Sequence, residues 1–490
     1  MTTIHILDNK YCRIDTDNFE LIATLRKILS YRLQGFEYTP AYKNFHWDGI
    51  TYLLDKHNKF LLGLLSKVEN YLKNSDINYS IIDCRQKLQQ NQELVIYDRL
   101  QELGMQPRDY QERILEAALN NEKGIVRACT GSGKSLAAAL IASKFNRPTV
   151  IYVIGLNLLK QFYELFRSIF GEDKVGYVGN GVCNVNTFTI ASIWTVGRAL
   201  DLDTKKMFVD EEDLEKEEFK KNDKFQILKM LKLAKIHIFD ESHVCTTQTI
   251  SSIFKAIEPE RIYGLSGTPF RSDGSDLLIN GILGEQIIDI SASELIEKGI
   301  LAKPYIKFFT VPKYPVSSKN YHTIYKEYIV ENPIRNKIIV EQTQKLLEKG
   351  YAPLVLFRTI SHGKILADFF TEAGVKFEML YGNDSLDKRI EVINMFKNGE
   401  IEMILSSNIF SIGLDVPKLS ALVNASGSKS YILTLQRVGR VIRGYPGKKY
   451  AAIVDLFDQV KYLKNHSKIR YEIYRSEKGF EVSAPKEMTK

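Results

Sequence analysis

The run from Arg127 to Leu140, "RACTGSGKSLAAAL", constrains the chain more than any other stretch. A short β-branched segment, "KGIVRAC", feeds a loop containing Gly131, Ser132, Gly133, Lys134 and Ser135, and the Ala/Leu-rich "KSLAAALIASKF" that follows favours a helix. Glycines so placed let successive backbone N–H groups converge on phosphate oxygens, a Lys reaches the β- and γ-phosphates, and a Ser hydroxyl can sit on Mg²⁺. The helix N-terminus presents a positive dipole end to the same anion. A structural turn would explain the glycines alone, but not glycines, Lys and Ser together between a strand and a helix. Ala128 stands where the strict phosphate-loop pattern has Gly.

From Lys123 onward, short apolar runs alternate with helical patterns: "GIVRAC", "TVIYVI", "TFTIASI", "AKIHIFD" and "RIYGLSG", then "APLVLF", "EMILSS", "ALVNAS" and "YAAIVDL". Such alternation predicts βαβ units and parallel sheets. The series breaks around residues 297–318, "EKGILAKPYIKFFTVPKYPVSS", where one α/β unit is expected to end. The predicted organisation is a small α+β domain over residues 1–95 and two α/β domains over 96–302 and 303–490. No internal repeat is visible. The charge-dense run "DTKKMFVDEEDLEKEEFKKNDKF", residues 203–225, reads as an exposed helix or insertion.

Three further groups complete a phosphate chemistry. "IHIFDESHV" is an apolar run ending in Asp240 and Glu241. A carboxylate at a strand's C-terminal end can hold Mg²⁺, and its neighbour can polarise an attacking water. A lone Asp-Glu pair is ordinarily a solvated strand end; a phosphate loop in the same predicted sheet reverses that reading. "YGLSGTPFR" offers the hydroxyls of Ser266 and Thr268 at another strand end. "LTLQRVGRVIRG" places Gln436, Arg440 and Arg443 at i, i+4 and i+7, one face of a predicted helix. Two guanidinium groups presented together can stabilise charge on a transferring γ-phosphate.

Composition sets the compartment and the class of partner. Cys12, Cys84, Cys129, Cys183 and Cys245 lie far apart, without a C-x-x-C pair, against a zinc ribbon or a disulfide framework. The start "MTTIHILDNKYCRID" lacks a signal-peptide pattern, and no apolar run approaches the roughly 18 residues of a membrane helix, so a cytoplasmic location is expected. The net charge of +8 divides into +1 over residues 1–95, −4 over 96–302 and +11 over 303–490. The basic last block suits a polyanion such as nucleic acid. Residues 1–95 interleave Phe36, Tyr38, Tyr42, Phe45 and Trp47 with Arg32, Lys43 and His46. Such rings can stack on bases, but they serve equally as the core of a small domain.

Taken together, these elements resemble the superfamily-two helicases and translocases. "PRDYQERIL" resembles that family's adenine-side motif, with Arg108 and Gln111 in the adenine-reading places; "TGSGKS", Thr130 to Ser135, is motif I, "DESH" motif II and "SGTP" motif III. "SSNIFSIGLDVP" resembles motif V, with Gly413 and Asp415 toward the ribose, and "QRVGRVIR" is motif VI, which makes Arg440 and Arg443 arginine fingers. "VIGLNLLKQF" lacks the common Pro-Thr of motif Ia. The resemblance implies two tandem RecA-like domains with ATP between them, Mg²⁺ held by Ser135 and Asp240, and Glu241 as base.

"DESH", "SGTPF" and Gln436 set the chain apart from DEAD-box RNA helicases. Pro40, Trp47-Asp48-Gly49, Leu53-Leu54-Asp55 and Gly63-Leu64 resemble the N-terminal domain of UvsW-type phage helicases. That resemblance implies action on branched or duplex DNA: fork regression, Holliday-junction branch migration and removal of R-loops. An RNA or RNA–DNA helicase, or a nucleotide-gated binding protein without unwinding, is the alternative. Nothing in the sequence identifies a protein partner or fixes the oligomeric state, and a monomer is one expectation.

Overall fold

The computed structural model describes residues 1–32, 36–85, 92–129, 131–202, 221–241, 247–267, 275–317, 319–382, 384–407 and 416–489. It divides into two compact units, Met1–Ala128 with Gly133–Asp289 and Cys129–Ser132 with Ile290–Lys490. Among the described residues no helix is long and apolar enough to cross a membrane.

The larger sheet of the first unit has eight strands in the order Val182–Asn184, Val175–Gly179, Phe188–Ser192, Thr149–Val153, Ile236–Asp240, Arg261–Ser266, Lys123–Ala128 and Gln286–Ile290. The inner strands pair in parallel. Thr149–Val153, Phe188–Ser192 and Ile236–Asp240 are buried at every position, as strands covered on both faces must be. That continuous burial is why they read as unbroken apolar runs in the sequence.

The N-terminal block forms its own four-stranded sheet, ordered Lys59–Leu61, Tyr11–Asp15, Thr2–Ile6 and Tyr79–Asp83. The helix Phe19–Ile28 starts where Asn18 accepts from the Leu21 N–H, and it buries Leu21 and Leu25, four residues apart on one face. This block does not close its own core. One apolar cluster runs from Ile4, Cys12, Leu25 and Leu61 to Phe254, Ile257, Ile279 and Leu283 of the α/β part. Lys10 Nζ donates to the carbonyls of Lys255 (3.1 Å) and Ile257 (3.0 Å), closing off the C-terminal end of the helix Thr247–Ala256. A Cβ on Gly63 would lie 2.2 Å from the Asn280 carbonyl oxygen, so only glycine permits this backbone approach to the helix Asp276–Leu283. Arg85 pairs with Asp83 on its own side and with Glu122 across the seam.

In the second unit a seven-stranded sheet runs Phe377–Leu380, Met403–Ser406, Pro353–Leu356, Ala421–Asn424, Tyr450–Asp458, Lys303–Val311 and Glu481–Ser483, with every adjacent pair parallel. The stretch read from sequence as a break, residues 297–318, contains the strand Lys303–Val311, in register with Tyr450–Asp458 over nine pairs. Its burial alternates along most of its length, so its charged and aromatic residues hid the strand signal. Of the charged run 203–225, only the start of the helix Lys221–Leu233 falls within the described residues.

Candidate nucleotide site

The phosphate loop follows the strand Lys123–Ala128, and the helix Lys134–Phe145 begins at its end. Gly131 (φ +90°) and Gly133 (φ +76°) both adopt left-handed backbone, which a side chain would strain. The loop is braced from the preceding helix, Asp109–Asn120. The side chain of Gln111 accepts from the Arg108 N–H (2.9 Å) and donates to the Gly133 carbonyl (3.1 Å). Sequence reasoning placed Gln111 beside adenine; its buried amide, bonded to the loop itself, was not foreseen. A glutamine three residues after a helix start is the available signal, because it fits a capping box. Arg108 donates from Nη1 to the Tyr110 hydroxyl (2.9 Å).

Lys134 Nζ lies 3.3 Å from Glu241 Oε1 and 3.3 Å from the Ala128 carbonyl oxygen. Its ammonium is thus held over the loop by two acceptors. Ser132 is buried and Ser135 half-buried in the first turn of the helix.

Asp240 closes the strand Ile236–Asp240, opposite Leu265 in the neighbouring strand. Glu241 follows with φ +48°, a left-handed conformation uncommon outside glycine, fixed by its N–H donating to the Leu265 carbonyl (2.8 Å). Asp240 is buried, and its Oδ1 has no hydrogen-bond partner. Burial first, then the Glu241 charge, pushes the Asp240 carboxyl up to about 7, against the pull of Lys134. An orphaned buried carboxylate oxygen at a strand's C-terminal end suits a hard divalent cation, so Asp240 fits Mg²⁺. Ser266, also buried, ends the adjacent strand one register step beyond Leu265.

In the second unit, Gln436 and Arg440 lie on the helix Tyr431–Val441. Arg443 does not share their helical face. The helix ends first, because Ile442 accepts from the Ala302 N–H (2.7 Å) and Arg443 bridges antiparallel to Leu301. The helix is keyed to its sheet by Arg437, which sequence reasoning passed over. Arg437 is buried and donates from Nη1 to Asn424 Oδ1 (3.2 Å), Ser426 Oγ (2.8 Å) and Ser428 Oγ (3.1 Å); burial lowers its pKa to about 10. Asn424 donates on to Asp455, which also receives Arg470 and the Tyr474 hydroxyl. Thr130, Thr268, Gly413 and Asp415 lie outside the described residues.

Three family models match the chain: the Type III restriction enzyme res subunit over residues 104–271, the helicase conserved C-terminal domain over 335–445, and the DNA helicase UvsW N-terminal model over 2–83. The ATP-dependent DNA helicase uvsW of Enterobacteria phage T4 is 26% identical over 93% of this chain and 90% of its own length. The DNA 3'-5' translocase XPB2 of Sulfurisphaera tokodaii is 25% identical over 69% of this chain and 78% of its own. Among solved structures, S. cerevisiae Dbp5 bound to RNA and ADP BeF3 aligns with a TM-score of 0.53 at 16% identity, covering 80% of this chain and 94% of that one, a likeness of fold. The strand–loop–helix carrying Lys134, the Asp240–Glu241 strand end and the UvsW-type N-terminal block therefore belong to one ATP-dependent helicase enzyme, similar along most of its length to superfamily-two helicases.

Proposed function

We propose that the chain couples ATP hydrolysis to the remodelling of branched DNA, by fork regression, junction migration and R-loop unwinding, in the cytoplasm of a host cell. The observation that carries this reading is the merger of a UvsW-type N-terminal block with the core of the unit that holds Lys134 and Glu241. The branched substrate comes from the UvsW-type resemblance, and the basic residues 303–490 suit the DNA backbone.

Lys134 and the loop N–H groups hold the β- and γ-phosphates. Ser135 and Asp240 would hold Mg²⁺, which would neutralise charge developing on the phosphates. Glu241 orients the attacking water and accepts its proton as the water oxygen bonds to γ-phosphorus and ADP leaves. Arg440 and Arg443 meet the charge on the transferring group, Arg108 and Gln111 face the adenine side, Gly413 and Asp415 the ribose, and Ser266 and Thr268 relay the state of the Asp240–Glu241 strand end.

The test is ATPase stimulation and unwinding across single-stranded, duplex, forked, four-way and R-loop substrates. Preferential processing of forks and four-way junctions is expected. Stimulation by RNA alone would transfer the reading to an RNA helicase, and ATP-dependent binding without strand separation would reduce it to a nucleotide-gated binding protein.

A further inference from the structure

The strands Ser30–Arg32 and Ile50–Tyr52 pair antiparallel outside the four-stranded sheet. The chain between them carries aromatic rings with opposite fates. Phe36 is anchored: Tyr42 meets it edge-on at 4.8 Å, the Arg32 guanidinium sits 4.7 Å from its ring centre, and Gly49 (φ +82°) has no room for a Cβ, which would lie 2.4 Å from that ring. Phe45 and Tyr38, in contrast, are 96% and 78% exposed.

Phe45 is not exposed through slackness. Its φ of +57° is a left-handed conformation that a bulky residue adopts at a cost. The backbone is fixed on both sides, with Asn44 N–H donating to Pro40 (2.9 Å), Phe45 N–H to Tyr42 (3.0 Å) and His46 N–H to Ala41 (2.9 Å). Trp47 Nε1 donates to the Ile50 carbonyl (2.7 Å), and Asp48 accepts from the Ile50 N–H (2.9 Å) and the Tyr52 hydroxyl (3.2 Å). A braced, strained turn that holds an apolar ring in water gives nothing to the fold. The protrusion, residues 30–52, sets Arg32 and Lys43 against Glu37 and Asp48, and Arg26 and Lys27 at the end of the helix Phe19–Ile28 add positive charge at its base. Separate rings among cations match the π-face of a base flanked by phosphates better than the contiguous apolar surface of a protein. The block is also packed into the core of the ATP-binding unit, so force on the turn is borne by that unit.

We propose that Phe45, together with Tyr38, stacks on the exposed base at a DNA branch point, so that this protrusion is the wedge that meets the junction. The proposal rests on DNA being the substrate.

The full-length chain tests it on a fork carrying 2-aminopurine at the branch base. The wild type should quench the base on binding without nucleotide. Phe45→Ala should abolish the quench and, combined with Tyr38→Ala, lower fork unwinding by about tenfold or more, the scale of one lost stack. ATPase stimulated by linear duplex should stay within about twofold, and Phe45→Trp should keep both quench and unwinding. Unchanged quench and unwinding in the double variant would overturn the proposal. So would a double variant altered only in oligomeric state, which would make the rings a contact between copies. A wild type whose ATPase ignores DNA would defeat the DNA reading itself, separately from the quench measured without ATP.

Discussion

Lys134 Nζ and Glu241 Oε1 stand 3.3 Å apart, so the residue proposed to hold phosphate is paired with the residue proposed to orient water. Nucleotide must compete with Glu241 for the ammonium. Glu241→Gln removes that competitor and a negative charge near the phosphates. It should bind ATP as tightly as the wild type or a few-fold more tightly, while hydrolysis falls by about 10²–10⁴, the scale of general-base contributions. Lys134→Ala should lose binding and hydrolysis together. Fluorescent-nucleotide titration beside steady-state ATPase separates the two patterns.

Gln111 joins Arg108 to Gly133 through the two ends of one amide. Gln111→Ala removes both bonds and leaves a loop carbonyl without that donor, so the loop loses its preset form. The KM for ATP should rise about tenfold, matching roughly 1–1.5 kcal/mol for a lost buried hydrogen bond. Gln111→Glu keeps the acceptor toward the Arg108 N–H but sets a carboxylate oxygen against the Gly133 carbonyl, acceptor against acceptor, and should raise KM at least as much as Gln111→Ala.

Arg470 and Asp455 are fully buried and share hydrogen bonds down to 2.8 Å. Arg470→Met strands the carboxylate and should destabilise the protein by about 3–5 kcal/mol. Asp455→Leu added to Arg470→Met should recover only part of that loss, because the stranded carboxylate is gone but buried Arg437 loses the nearby negative charge and Asn424 and the Tyr474 hydroxyl lose their acceptor. Urea denaturation of the single and double variants gives the comparison.

His237 and Tyr152 form a neutral buried pair. Nε2 donates to the Ala234 carbonyl (3.2 Å), so Nδ1 accepts from the Tyr152 hydroxyl (2.8 Å). Burial lowers the His237 pKa from 6.5 to about 3. Below pH 6.5 the unfolded chain binds a proton that the folded chain refuses, so stability present above that pH is lost as pH falls toward 3. Between pH 7 and pH 5 this group alone should remove about 2 kcal/mol. His237→Phe should flatten that part of the profile, as read from urea midpoints at the two pH values.

What was legible in the sequence follows from burial. Ile236–Asp240 announced itself because both of its faces are covered, leaving a run without polar interruption. Lys303–Val311 did not, because its alternate residues are exposed and its partner strand lies far along the chain. The end of the helix before Arg443 is set by pairing with Leu301, a contact that no local periodicity contains. Gln111 and Arg437 stood in recognisable motifs, yet the bonds they make depend on what folds against them. For Phe45 the pattern of rings and cations fits a core as well as a surface, and a backbone turned to positive φ decided between them.

The apolar cluster shared by Leu61, Phe254 and Leu283 has a consequence for how such enzymes can be recombined. A block that leaves its own core open is not an exchangeable cassette. Swapping residues 1–83 for those of a relative would set foreign side chains against Phe254 and the Gly63 approach to Asn280, so a chimaera needs the facing helices, Thr247–Ala256 and Asp276–Leu283, to travel with the block. Drift in the first strands of the chain is likewise tied to change some 200 residues away, and the N-terminal block and the helices it packs against must diverge as a single piece.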